Sequence, residues 1–373
     1  MVMTIAKGLE GVVACTSAVS SIIDGVLTYR GYNIDDLADH ASFEEVAHLL
    51  WYGHLPNRTE LEALKSELAR HADIPDELHQ LLKINVNNVH PMSVLRTAVS
   101  ALALYDEEAE DNSLEANQRK AIKLTAKIPT IVTAFARIRQ GLEPVAPKPE
   151  LGFAANFLYM LNGQEPSDVA VKAFDKALVL HADHELNAST FAARVTTGTL
   201  SDIYSAITTA IGTLKGPLHG GANEQVMVTL ESIGSLENIA SSIQQKLDNK
   251  EKIMGFGHRV YKNGDPRAKH LREMSRQLAD QTGNKLWYEM SVEIEKIVVD
   301  KKGIKPNVDF YSASVYTYLG IPRDLFTPIF AMSRVTGWTA QVLEQYADNR
   351  LIRPRAEYTG ETNQAYVPID QRK

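Results

Sequence analysis

A chain of 373 residues, 44% hydrophobic and 23% charged, has the composition of a soluble globular protein of about two domains. Its net charge of −7 argues against a general nucleic-acid or membrane-surface binder, so an anionic substrate would need local arginines. The single cysteine, Cys15, excludes an intrachain disulfide and fits a reducing, cytoplasmic setting, and neither a signal peptide nor a transmembrane run is expected.

Residues 12–31 carry the strand signal. Ile22-Ile23 and Val26-Leu27-Thr28-Tyr29 flank Asp24-Gly25, a dipeptide suited to a tight hairpin turn because glycine accepts positive φ. Everything after reads mainly helical. Ser42 stands three before Glu45, and Thr59 three before Glu62. Both spacings predict capping boxes, in which the hydroxyl accepts one orphan N–H and the carboxylate another. Pro56 and Pro75 punctuate these helices, and His90-Pro91 opens another. The long helix after Ser113 is expected to break or kink at Pro129. Pro144 to Pro149 reads as a short connector. After Ser167 a helix carries Val171, Phe174, Leu178 and His181 on one face. The helix after Ser201 must stop at Gly216-Pro217, and Asp265-Pro266 starts another with a cap residue and a proline at the first helical position. Residues 309–319 and 325–346 read as apolar helices, and the tail from Arg350 as extended. With no internal repeat and only one minor hairpin, the fold class is all-α. The glycine loops at 216–221 and 255–257 are candidate hinges.

Several residues are suited to chemistry. His181 and His184 stand at i and i+3 on one helix face, either part of a metal site or a core pair with satisfied hydrogen bonds. His219, in Gly216-Pro217-Leu218-His219-Gly220-Gly221-Ala222-Asn223, presents its ring beside backbone amides or caps the following helix. Gly255-Phe256-Gly257-His258 lacks the third glycine and preceding strand of a dinucleotide fingerprint. Close backbone approach to a flat ring or a phosphate remains open there, with Lys262 and Arg267 to neutralise an anion. Asp309 follows an extended stretch at a helix start, as an N-cap, a base, or both. Arg334 lies in an apolar helix, where a cation needs a partner such as an anionic ligand. Arg353 and Arg355 flank Pro354 in the tail and read by default as surface charge.

Together these pieces resemble citrate synthase, over nearly the whole chain and in the short form found in bacilli. The carrying signature is Gly-aromatic-Gly-His followed by Val260, Lys262, Asp265, Pro266 and Arg267 in register. Gly-Pro-Leu-His-Gly at 216–220, Asp-His-Glu at 183–185, Pro-Asn-Val-Asp at 306–309, Ser-Arg at 333–334 and Arg-Pro at 353–354 follow in family order. The resemblance implies an all-α cytoplasmic homodimer. A large domain would span 1–219 and 314–373, and a small domain 220–313, with the active site in the cleft between them. It implies an acyltransferase that condenses acetyl-CoA with oxaloacetate and hydrolyses citryl-CoA, the entry step of the tricarboxylic acid cycle. Asp309 matches the base, His219 the residue that stabilises the enolate, and His258 the one that polarises the oxaloacetate ketone. His184, His219, His258, Arg267 and Arg334 match oxaloacetate contacts, and Arg353 an arginine inserted from the neighbouring subunit. Ile253, Met254, Gly255, Phe256 and Gly257 match a loop that cradles CoA, with Arg259 and Lys262 as further contacts. No metal and no cofactor are implied, since acetyl-CoA is a substrate.

The residue types suit that chemistry. A thioester α-proton is weakly acidic, so a carboxylate removes it only if a preorganised hydrogen bond stabilises the enolate as it forms. Arginine forks match the two carboxylates of oxaloacetate. The chain lacks the added N-terminal domain of the larger bacterial form, so NADH inhibition is not expected. The rival is 2-methylcitrate synthase, which uses propionyl-CoA. One methylene changes binding by only about 1–3 kcal/mol, so the motifs do not separate the two.

Overall fold

The hairpin forms at the predicted dipeptide. In the computed structural model, which describes residues 6–84, 89–258 and 260–372, β1 (Ser20–Ile23) pairs antiparallel with β2 (Val26–Tyr29), Ile23 opposite Val26. Asp24 and Gly25 both take positive φ, 53° and 80°, the two-residue turn whose twist matches the strands. Pairing starts only at Ser20, and a short β3 (Tyr32–Asn33) completes the sheet.

The rest of the described chain is helical, as an all-α class requires. The order is α1 (Ile34–His40), α2 (Phe43–Tyr52), α3 (Arg58–Arg70), α4 (Asp76–Lys83), α5 (Pro91–Leu102) and α6 (Leu114–Ile138). Then come α7 (Phe153–Asn162), α8 (Asp168–His181), α9 (Ala188–Thr197), α10 (Ile203–Leu214) and α11 (Ala222–Ile233). α12 (Ile239–Asp248), α13 (Pro266–Thr282), α14 (Leu286–Lys302), α15 (Val308–Tyr318) and α16 (Phe326–Ala347) finish the set. No helix among the described residues is long and apolar enough to cross a membrane.

Local cap chemistry sets most of these ends. The Ser42–Glu45 capping box forms as read. The second box does not use Thr59 and Glu62: Asn57 and Glu60, two residues earlier, close the same reciprocal pair and start α3 at Arg58. Either spacing satisfies the rule, and Asn57 is the first capping side chain after Pro56. Pro129 does not break α6, which runs through it as one buried helix. Packing on α7 and α16 holds the turn despite the missing donor. α10 ends at Leu214, ahead of Gly216-Pro217, and α13 starts on the Asp265 cap with Pro266 at its first position.

α16 is the axis of the core. It is buried on every side from Phe326 to Leu343, as a helix apolar all round must be, and it packs against α2, α6, α8, α9 and α10. α11, α13, α14 and α15 pack on one another, with α12 on α14. They meet the other helices through α13 on α1 and α8, and α11 on α16.

The hairpin's job is to hold the loop after α8. Ser20 Oγ donates to Asp183 Oδ2 at 2.5 Å and accepts Glu185 N–H at 2.9 Å. Tyr29 Oη donates to the Asp183 carbonyl at 2.9 Å. From the other side, Gly337 of α16 donates its N–H to the Ala182 carbonyl at 3.1 Å. A Cβ on Gly337 would collide with that carbonyl and with the Asp183 carboxylate, so this helix touches the loop backbone to backbone. Gly337→Ala is therefore expected to cost about 1–3 kcal/mol as the loop is forced away, read as a lower urea midpoint with an unchanged m-value. A midpoint equal to wild type would mean the loop moves freely and α16 does not fix it.

Candidate active site

The loop held in this way carries His184. α8 ends at His181, so the two histidines do not share a helix face as predicted. His181 turns inward, donates Nδ1–H to the Ala177 carbonyl at 2.7 Å, and packs edge-on against Phe330. Burial lowers its pKa to about 3, which keeps it neutral. His184 turns the other way, its Nε2 3.0 Å from Tyr261 Oη and its ring 5.1 Å from that of His258. Burial first, then the charges of Arg267 and Arg334, hold it well below the usual histidine range.

His258 follows the glycine loop. Its Nδ1 faces two backbone donors, Val260 N–H at 3.1 Å and Tyr261 N–H at 3.3 Å. A backbone N–H can only donate, so Nδ1 accepts and the neutral ring keeps its proton on Nε2. His219 has the opposite arrangement. Ser189 N–H, at the first turn of α9, meets its Nε2 at 3.3 Å, and Ser189 Oγ lies 2.8 Å away while accepting Trp338 Nε1–H at 3.1 Å. Nε2 therefore accepts, and the proton of His219 sits on Nδ1. It does not cap α11, which starts beyond it with no side-chain cap. Burial takes both rings down to about 4, helped by Arg334 at His219 and by Arg267 at His258. At neutral pH both are uncharged hydrogen-bond donors.

Asp309 is not a cap. Asn307 takes that role by accepting Asp309 N–H at 3.0 Å, which frees the carboxyl. That carboxyl is buried, and its Oδ1 has no hydrogen-bond partner among the described residues. Burial raises its pKa to about 7; Arg267 and Arg334 pull against the rise and Asp265 adds to it. A carboxyl that gains or loses its proton near neutrality suits a general base.

Two buried arginines tie the set together. Arg267 is forked onto Asp265, Nε to Oδ1 at 2.9 Å and Nη2 to Oδ2 at 2.8 Å. The same Asp265 accepts Arg267 N–H at 3.1 Å and, through Oδ2, Val308 N–H at 3.0 Å, joining the start of α13 to the start of α15. Arg334 donates Nε–H to the His181 carbonyl at 2.6 Å, lies 4.7 Å over the Phe330 ring, and has the buried Asp183 as countercharge. Its Nη atoms have no hydrogen bond among the described residues. Arg334 is charge-coupled to His184, His219 and Asp309, and Arg267 to His184, His258 and Asp309.

The glycine loop is sewn to the strand-like segment before Asp309. Gly257 N–H donates to the Lys305 carbonyl at 2.9 Å and Asn307 N–H to the Gly255 carbonyl at 2.8 Å, around a Phe256–Pro306 bridge. Gly255 sits at φ 81°, with Phe310 and Val226 where a Cβ would be. Ile253 and Met254 are half-buried against the core. Of the remaining predicted residues, Lys262 is exposed and Arg353 lies in the exposed tail, neither bonded to this group. Arg259 is outside the described residues. Sequence reasoning finds no role for Tyr261, Ser189 or Trp338, places Asp183 in a motif without a role, and has Asp265 as a cap within the family signature.

The family described as citrate synthase, C-terminal domain, matches residues 8–355. The chain is 64% identical to citrate synthase 2 of Bacillus subtilis (strain 168), over 99% of this chain and all of that one. It is 42% identical to 2-methylcitrate synthase 1 of Corynebacterium glutamicum, over 98% of each. It superposes with a TM-score of 0.93 on citrate synthase from the archaeon Thermoplasma acidophilum, solved with carboxymethyl coenzyme A and oxaloacetate. That match is 34% identical and covers 99% of this chain and all of the other.

A proton on Asp309 blocks its use as a base, so kcat/KM is expected to fall about tenfold per unit of pH below about 7. His219 and His258, already neutral there, add no second limb above pH 5. A profile flat down to pH 5.5 would remove Asp309 as the group that limits the free enzyme.

Proposed function

The chain belongs to the citrate synthase family, and from that premise we propose how its residues divide the work. It is an acyltransferase that converts the acyl group into an alkyl group on transfer: it joins acetyl-CoA to oxaloacetate and hydrolyses citryl-CoA to citrate and CoA.

Asp309 removes a proton from the methyl group of acetyl-CoA. The negative charge moves to the thioester oxygen, where Nδ1–H of His219 meets it; the Ser189 contacts behind the ring support that tautomer. The enolate carbon attacks the ketone of oxaloacetate, and Nε2–H of His258 donates to the oxygen as it becomes a hydroxyl. Neutral imidazoles suit both tasks, since fixed donors stabilise charge only as it develops. Arg267, Arg334 and His184 hold the carboxylates of oxaloacetate, a reading supported by the Arg334 Nη atoms, which carry no hydrogen bond among the described residues, and by the edge-to-face pair of His184 and His258. Water then enters to hydrolyse the thioester. The reaction uses neither metal nor cofactor.

The loop at 253–257, with Arg259 and Lys262, receives CoA. The small domain, residues 220–313, a reading supported by the mutual packing of α11, α13, α14 and the start of α15, closes on residues 1–219 and 314–373 around oxaloacetate. Closure keeps water from the thioester until condensation is complete. The protein works in the cytoplasm as a homodimer. Support for the dimer comes from the tail, which runs exposed beyond Arg350 with Tyr358 and Tyr366 at 73% and 82% exposure. Such side chains are stabilised by a second copy, and Arg353 then reaches the neighbouring site.

The observation that carries this reading is a buried Asp309 with a free carboxylate oxygen, charge-coupled to the same arginines as three neutral histidines. A thiol-release assay with oxaloacetate tests it. Acetyl-CoA is expected to show the higher kcat/KM, and a clear preference for propionyl-CoA would make the enzyme a 2-methylcitrate synthase. Asp309→Asn and Arg353→Ala are each expected to be nearly inactive. Co-expressed, they should recover up to roughly a quarter of wild-type activity, because half the dimers are mixed and each mixed dimer keeps one intact site. No recovery would remove Arg353 as a residue shared across subunits.

A further inference from the structure

Away from the catalytic group, the turn between α2 and α3 gathers His48, His54 and Glu60. One ligand-capable atom from each lies within 4.8 Å of the other two. We propose that these three side chains form a divalent transition-metal site, of zinc-binding character, that clamps the end of α2 to the first turn of α3.

The backbone prepares both histidines. Nδ1 of the buried His48 lies 3.0 Å from the His54 carbonyl, and Nδ1 of His54 lies 3.3 Å from the Tyr52 carbonyl. A carbonyl oxygen only accepts, so each Nδ1 carries a proton. The lone pair of each neutral ring is then on Nε2, the tautomer that a metal needs. Metal-binding histidines generally have their second nitrogen held in this way. Glu60 is held as well: Oε2 accepts Asn57 N–H at 2.8 Å in the capping box, while Oε1 lies 3.3 Å from His54 Nε2. With Nδ1 of His54 donating, the Nε2 lone pair faces that carboxylate, two ligand atoms across a gap that a divalent cation can bridge.

Two imidazole nitrogens and one carboxylate oxygen make a borderline-soft set that suits zinc, nickel or copper(II) rather than calcium or magnesium. His54 and Glu60 have side chains 56% and 39% exposed, free to rotate from the present spacing to coordination distance around the buried His48. No group in the set is bonded to His184, His219, His258 or Asp309. The site is structural and plays no part in the condensation.

The test uses full-length protein without an affinity tag, stripped with chelator and titrated with zinc chloride by calorimetry. One zinc per chain is expected, with a Kd at or below the low-micromolar range. His54→Ala and Glu60→Gln are expected to weaken binding at least tenfold while circular dichroism and citrate formation stay at wild-type levels. Glu60→Gln keeps the capping oxygen and so separates metal loss from helix loss. Absence of a stoichiometric event overturns the proposal. So does binding that survives His54→Ala and is displaced by oxaloacetate, which would assign the metal to the active-site histidines.

Discussion

The Asp265 carboxylate is the constraint from which the rest of the site follows. It accepts four N–H groups, three from Arg267 and one from Val308. A buried guanidinium without a partner would cost several kcal/mol, so Arg267 can stay inside only where Asp265 stays. The same carboxylate sits at the first turns of α13 and α15, where negative charge meets unsatisfied N–H groups. One anion thus fixes the cation proposed to bind substrate and the helix that bears the proposed base. Asp183 does parallel work for Arg334, itself anchored by Ser20 and, through its backbone, by Tyr29. The hairpin, small as it is, belongs to the active site by this route.

Burial then does the chemical tuning. The same low-dielectric environment raises a carboxyl and lowers imidazoles, because each shift disfavours the charged form. Asp309 comes to about 7 and the histidines fall far below neutrality. The base can therefore be regenerated near neutral pH, and the two donors hold their protons without carrying charge. This costs stability. Between about pH 4 and 7 the native chain keeps a proton on Asp309 that the unfolded chain releases, so the Asp309 contribution to stability falls as pH rises through that window, while the histidines, which only the unfolded chain protonates there, contribute in the opposite sense up to about 6.5.

Much of this was legible in the sequence, and the divisions are physical. Cap residues, prolines and the Asp24-Gly25 turn act within a few residues, so helix starts at Ser42, His90, Ser113, Ser167 and Asp265 were readable. Where two caps competed, as with Asn57 and Thr59, the spacing rule could not rank them. Local pattern does not show that α6 continues through Pro129 or that α8 ends at His181, because packing decides both: α7 and α16 hold one helix past its proline, and beyond the end of the other the Ala182 carbonyl accepts Gly337 N–H. The candidate catalytic residues were found through family motifs. Their tautomers were not, since Ser189 and Trp338 are remote from His219 in the chain and nothing in their local pattern marks them as its partners. The sequence leaves Asp309 open as a cap, and only the sight of Asn307 in that place removes the reading.

The stitching of residues 255–257 to 305–307 has a thermodynamic consequence. The loop proposed for CoA and the segment that leads into the base share three hydrogen bonds, Gly257 to Lys305, Asn307 to Gly255, and Asn307 Nδ2 to the Gly257 carbonyl. Whatever free energy CoA contributes to ordering the loop is then also contributed to aiming the carboxylate. Linkage makes that exchange reciprocal: a change that loosens the start of α15 must weaken CoA by the factor by which CoA would have tightened it. On the proposed roles, affinity for the nucleotide carrier and readiness of the base are coupled through these three bonds.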